Sequence, residues 1–216
     1  MSKDLAKRAM MGTFFISVFI IISKFISFFG QWVLGLYLSV DEFGALAIIS
    51  VATLLSSGLK EVGLGQQLLA VRDSFEKKFN SIFRSVQIIN IATVVLIGAV
   101  SPIIGWYYED FNIAIILFLL VLLIPLNAYI VAYRSILNIR LDFKKISLVE
   151  SLSILGMNIA LAAFAFAGAS IYSYLAGQAF MTLIQLLLYR HYAGTLPTGG
   201  SFSFSQFKNV IRQSKW

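Results

Sequence analysis

The sequence predicts an all-α, polytopic membrane protein of six spanning helices, and three observations lead there. Apolar residues make up 59% of the 216-residue chain and charged residues only 12%, about half the charged share of a soluble domain. The apolar residues fall into six long runs, each close to the ~20 residues that a helix needs to cross a bilayer. The basic residues alternate between the connections in the way that orients a multi-pass protein. A net charge of +7 therefore reads as topology, and no nucleic-acid partner is expected.

The first run, residues 10–38, is preceded by a short basic segment, MSKDLAKRA. At ~1.5 Å per residue it reaches roughly 43 Å, enough to span with tilt. It is too long for a signal-peptide core and has no convincing small-residue cleavage site after it, so it is expected to remain as a helix. Ser17, Lys24 and Gln31 recur every seven residues along it, and Ser27 follows Lys24 by three. These four fall within about 80° of arc on a helix. That side is expected to face protein or a wet cavity, and the Phe, Ile, Val and Leu faces to meet lipid. A lysine about halfway along such a run costs at least ~2.5 kcal/mol to insert and commonly marks a pathway or binding site.

A short acidic turn, Ser39-Val40-Asp41-Glu42, leads to the second predicted helix, 43–70. Lys60 and Glu61 are adjacent in it, among Gly58, Gly63 and Gly65, which permit close contact or local unwinding. A charged loop is predicted at 71–84. The third helix, 81–107, contains Gln87, Asn90 and Pro102 and ends at the aromatic anchor Trp106-Tyr107-Tyr108. After Glu109-Asp110 the fourth helix runs over 112–137, with a kink expected at Pro125 and with Asn127, Tyr133 and Arg134 beyond it. A basic loop, NIRLDFKK, precedes the fifth helix, 146–167. Glu150 lies near its start, and the small pairs Gly156/Ala160 and Ala163/Ala167 suit tight packing. The sixth helix, 171–190, carries Tyr172, Tyr174, Gln178, Thr182 and Gln185. His191 is placed in the loop after it. Residues 1–192 thus form one six-helix unit, and 193–216 a basic amphipathic linker leading into a further span that is not present.

Of the 17 Lys and Arg, all but Lys24 and Lys60 (17 − 2 = 15) lie at the N-terminus, in the second and fourth connections, in the C-terminal segment, or at the helix ends beside them. The positive-inside rule then places both termini in the cytoplasm.

Enzyme chemistry finds little support. The chain has no cysteine and one histidine, His191. No phosphate-binding loop, nucleophile elbow or zinc motif occurs. No metal and no cofactor is expected. Lys24 is the sharpest candidate: it either attracts an anion such as a pyrophosphate into a wet cavity, or snorkels to an interface, or pairs with Glu61 or Glu150. Gln31 shares its stripe. Lys60, Glu61, Arg134 and Glu150 are further candidate contacts, each also explicable as ordinary interface charge. The helix-six tyrosines either stack on sugar rings or pack among helices.

These stretches also resemble a known family. The first helix ending in LGLYLSVDEFGALAII, the Glu61-Val62-Gly63-Leu64-Gly65-Gln66 segment, and Ile124-Pro125-Leu126-Asn127 followed by Tyr133-Arg134-Ser135-Ile136-Leu137 and Arg140-Leu141-Asp142-Phe143 resemble the polysaccharide exporters, lipid-linked oligosaccharide flippases of the multidrug/oligosaccharidyl-lipid/polysaccharide exporter superfamily. The resemblance implies two six-helix lobes around a cavity that opens to either side in turn, of which this chain holds the first. It implies a polyprenyl-pyrophosphate-linked glycan as substrate, a bacterial inner-membrane location, and pairing with a second lobe or a second copy. The alternatives are a multidrug cation antiporter lobe, against which helix one offers a lysine and no acid, and a truncated, non-transporting membrane protein.

Overall fold

A computed structural model describes residues 2–60 and 75–197, with side chains over 17–51 and 79–197. Among these residues the chain is helical, with no strand. The helices are α1 (Ser2–Tyr37), α2 (Val40–Lys60), α3 (Phe75–Tyr107), α4 (Phe111–Val121), α5 (Ile124–Ile139), α6 (Phe143–Phe166) and α7 (Tyr172–Ala193). As α4 and α5 are two halves of one apolar stretch, six helical passes result, the number predicted. Four stretches are long and apolar enough to cross a membrane: Ser17–Tyr37, Phe79–Tyr107, Phe111–Ile139 and Phe143–Phe166. The protein is an all-α, multi-pass membrane protein. α7 does not reach that apolar threshold because Tyr, Ser, Thr and Gln dilute it. Its polar side chains turn inward instead, with Ser173, Thr182, Gln185 and Tyr189 all buried.

Several boundaries differ from the sequence reading, each for a local reason. Helix α1 begins at Ser2, so the basic lead-in is helical as well. The acidic turn is shorter than expected, because Ser39 and Glu42 form a reciprocal cap. The Ser39 amide donates to Glu42 Oε2 at 2.7 Å, and the Glu42 amide donates to Ser39 Oγ at 3.3 Å. That pairing satisfies two amides of the first turn and starts α2 at once. Most of the predicted 71–84 loop, from Phe75 onward, belongs to α3. His191 lies in the last turn of α7 and not in a loop.

The expected kink at Pro125 is a full break three residues earlier. A prolyl ring collides with the carbonyl four residues back, which here is that of Val121, and α4 ends at Val121. Polar side chains then serve the interrupted backbone. Gln87 Nε2 donates to the Pro125 carbonyl at 3.2 Å, and Asn127 Nδ2 donates to the Leu123 carbonyl at 3.1 Å. Pro102 is tolerated inside α3 by a similar device: Ser101 Oγ donates to the Gly98 carbonyl at 3.1 Å, the group that the proline leaves unpaired.

The chain divides into two compact units. In one, α3 packs on α4 and α2 on both. Phe79, Ile82 and Val86 of α3 and Ala128 and Ala132 of α5 make a buried cluster there. In the other, α6 packs along α1 and along α7. Small residues allow both approaches. Gly30 of α1 faces the side chain of Asn158, Gly156 faces Ile184, and a Cβ at Gly177 would stand 3.1 Å from the Met157 carbonyl and 3.3 Å from Leu161 Cβ. Of the two predicted small pairs, only Gly156/Ala160 takes part. Ala163 and Ala167 are exposed, and Ala165 is the buried alanine of that turn.

Most buried hydroxyls bond within their own helix, as a lipid environment requires. Ser85 donates to the Ser81 carbonyl, Ser135 to that of Val131 and Ser153 to that of Val149. Outward faces are large and apolar. Phe25, Phe28 and Trp32 of α1 are more than half exposed, and so are Trp106 and Tyr107 at the predicted aromatic anchor.

Candidate functional site

Two contacts fix how α1 lies on α6. Gly30 faces Asn158, and the rings of Tyr37 and Phe166 meet edge to face at 4.8 Å. Moving seven residues along α1 corresponds to moving eight along α6, so the helices run parallel. Glu150 is then level with Ser23, and Lys24 with Ser151. The axial offset between Lys24 and Glu150 is only ~1.5 Å.

Their sides follow from the same contacts. At about 100° per residue, Phe166 is turned ~80° from Asn158 in one sense and Glu150 ~80° in the other. On α1, Tyr37 is turned ~20° back from Gly30, while Gln31 and Lys24 are turned ~100° and ~120° forward. Tyr37 and Phe166 share one flank of the α1–α6 seam. Lys24, Gln31 and Glu150 share the other. The heptad stripe predicted for the first helix therefore borders its packing face, with Ser23 and Gly30 buried beneath it and Lys24 and Gln31 exposed.

Glu150 is half-buried, and its carboxylate is held by α7. Tyr189 Oη donates to Glu150 Oε1 at 2.7 Å, and Gln185 Nε2 donates to Oε2 at 3.0 Å. Tyr189 is wholly buried and Gln185 nearly so. The two donors sit one helical turn apart, so they reach the two oxygens of a single carboxylate. Two turns before Gln185, on the same side of α7, Gln178 Nε2 donates to Tyr174 Oη at 3.1 Å. Ser147 and Ser151 of α6, on the turns around Glu150, are buried with hydroxyls that find no hydrogen-bond partner among the described residues. Among the described residues Lys24 has no ion-pair partner, and no group of His, Asp and Glu has the makings of a metal site.

Of the remaining candidates, Arg134 is exposed on α5, in the unit built on α2, α3 and α4. Lys60 is the last residue of α2 and its side chain lies outside the described residues, as does all of Glu61. His191 is exposed and meets the ring of its neighbour Tyr192.

A family model described as polysaccharide biosynthesis protein matches residues 33–216. The chain belongs to this family. The match covers most of the chain and agrees with the resemblance to polysaccharide exporters. No curated protein and no solved structure matches the chain. The Glu150 clasp of this polysaccharide biosynthesis family member is not among the sequence expectations. Gln185 was visible as one of several polar residues, but Tyr189 was not singled out. The available signal was the repeat of Gln178 and Gln185 at seven residues with Tyr189 one turn beyond, the same period as the stripe on α1.

Proposed function

We propose that this chain is the N-terminal lobe of a flippase that moves polyprenyl-pyrophosphate-linked oligosaccharide across the bacterial inner membrane, for O-antigen, capsule or exopolysaccharide synthesis. Lys24 carries the reading. It is an intramembrane cation, without an anionic partner among the described residues, on a flank lined with polar groups from α1, α6 and α7. Such a group attracts a pyrophosphate while the polyprenyl tail stays in lipid. Gln31, one heptad outward, offers an amide to the first sugar. Lys60, Glu61 and Arg134 are secondary contacts in this scheme. The protein acts as a transporter and not as an enzyme. Alternating access requires a second six-helix lobe, from another chain or a second copy, and an ion gradient supplies ~2.3 kcal/mol per charge moved through 100 mV.

The multidrug-antiporter reading draws on one observation, the intramembrane carboxylate of Glu150. Both its oxygens already accept hydrogen bonds from α7, which leaves it poorly disposed to take up a cationic drug.

The test is complementation. The 216-residue chain, alone and with a separately expressed second lobe, is placed in a flippase-deficient bacterium and surface glycan is scored. Rescue that needs the second lobe, and that is lost in Lys24→Ala but largely kept in Lys24→Arg, is the expected result. Normal export by Lys24→Ala overturns the anion site.

A further inference from the structure

We propose that the break between α4 and α5 is a binding site for a monovalent cation such as sodium, held by neutral oxygens: Asn90 Oδ1, Thr93 Oγ1 and the carbonyls of Val121 and Leu122.

The break leaves carbonyls bare. Pro125 has no amide to return to the Val121 carbonyl. The Leu126 amide, which a continuous helix would give to Leu122, goes to Leu123 at 3.1 Å. Among the described residues nothing donates to the carbonyls of Val121 and Leu122. Asn90 of α3 brings another free acceptor. It is only 2% exposed, and its Oδ1 has no hydrogen-bond partner among the described residues. Thr93, one turn on and also buried, gives its proton to the Ile89 carbonyl at 2.9 Å, so Oγ1 presents only lone pairs.

Three contacts set these groups at one height. Gln87 meets the Pro125 carbonyl, Gly98 faces the ring of Phe118, and a Cβ at Gly105 would stand 2.8 Å from that of Ala114. The passes are therefore antiparallel. Interpolation between the first contact and either of the others puts Asn90 level with Leu123 and Thr93 level with Val121. Around α3, Asn90 lies ~20° from Phe83 and ~60° from Gln87. Both of those residues touch α5, Phe83 through the ring of Tyr129 at 4.9 Å.

All four groups are acceptors. A water molecule has two protons and serves two of them. A cation serves them all, and the bare carbonyls of a broken membrane helix are suited to that task. Between residues 79 and 139 the acidic side chains are Glu109 and Asp110, in the turn before α4, so no carboxylate enters the site. Calcium and magnesium sites draw on carboxylates, and the neutral set therefore favours a monovalent ion. Bound there, the ion joins α3 to the broken pass. The inference goes beyond the flippase reading and does not use Lys24.

The test uses the whole chain in lipid nanodiscs. Binding of radioactive sodium and the sodium-dependent rise in unfolding temperature are measured against choline at equal ionic strength. The parent is expected to bind sodium and to be stabilised by it. Asn90→Leu is expected to bind about tenfold more weakly, the equivalent of one charge-assisted contact. Asn90→Asp, which keeps an oxygen at the same place, is expected to bind at least as tightly as the parent. Pro125→Ala returns an amide to the Val121 carbonyl and is expected to weaken binding. A parent that binds no sodium, as a bound water would leave it, overturns the proposal. So does parent-like binding in Asn90→Leu or in Pro125→Ala, or a loss in Asn90→Asp as large as in Asn90→Leu. The flippase reading is judged separately, by complementation.

Discussion

The contact between Gly30 and Asn158 gives the most direct test of how α1 is seated. A methyl at position 30 would occupy the place of the Asn158 side-chain oxygen, while Asn158 Cβ stands 3.5 Å away, an ordinary contact. The collision is therefore with the amide group and not with the backbone of α6. Asn158 cannot simply step aside, because its Nδ2 donates to the Ile154 carbonyl at 2.7 Å. Gly30→Ala must break that bond or push the helices apart. Overpacking costs about 1–3 kcal/mol, and a lost intramolecular hydrogen bond about 1 kcal/mol. We expect Gly30→Ala to destabilise the protein by about 2–3 kcal/mol. Asn158→Ala alone removes one bond within a helix and is expected to cost about 1 kcal/mol. In the double variant the two alanines fit, so it is expected to be no less stable than Asn158→Ala. The assay is reversible unfolding in mixed detergent micelles, followed by helical circular dichroism. Additive losses, with the double variant worse than either single one, would show that Gly30 and Asn158 do not meet and would refute the register from which the Lys24–Glu150 placement is drawn.

The clasp should behave as a unit. Glu150→Ala leaves two buried donors, Tyr189 Oη and Gln185 Nε2, without their acceptor, and a loss of about 2–3 kcal/mol is expected in the same unfolding assay. Tyr189→Phe is expected to cost about 1 kcal/mol, and in combination with Glu150→Ala to add almost nothing further. Ser39→Ala removes one arm of the cap that starts α2, with an expected loss of about 1 kcal/mol and earlier hydrogen exchange in the first turn of that helix. In export, Lys24→Ala is expected to reduce surface glycan with normal protein levels, and Lys24→Arg to retain most of it.

The sequence by itself determined the class of the protein and the number of helical passes, and it predicts the side of each connection. Those properties depend on the sum of apolar area along the chain and on where the charges fall, and both are written in order along it. It also marked Lys24, since a lysine within an apolar run is conspicuous wherever the helix packs. The cap at Ser39-Val40-Asp41-Glu42 was equally legible, a serine with a glutamate three residues on, though it was read as a turn. The break before Pro125 belongs to the same group, because the proline names the carbonyl it collides with.

Tertiary structure alone decided which side chain of α6 shares the flank of Lys24. Glu150 is more than a hundred residues away in the chain, and nothing local ties it to α1. Its place is set by a glycine opposite an asparagine and by one pair of rings, which together choose both the height and the rotation of α6. A shift of one residue would turn Glu150 by ~100° and carry it off that flank. Likewise, the inward turn of Gln185 and Tyr189 has no cause within α7. The helix is polar enough to rest either way, and it is the carboxylate on α6 that makes burial of those donors favourable. Periodicity along one helix finds a polar stripe, but only packing between helices decides which stripes meet.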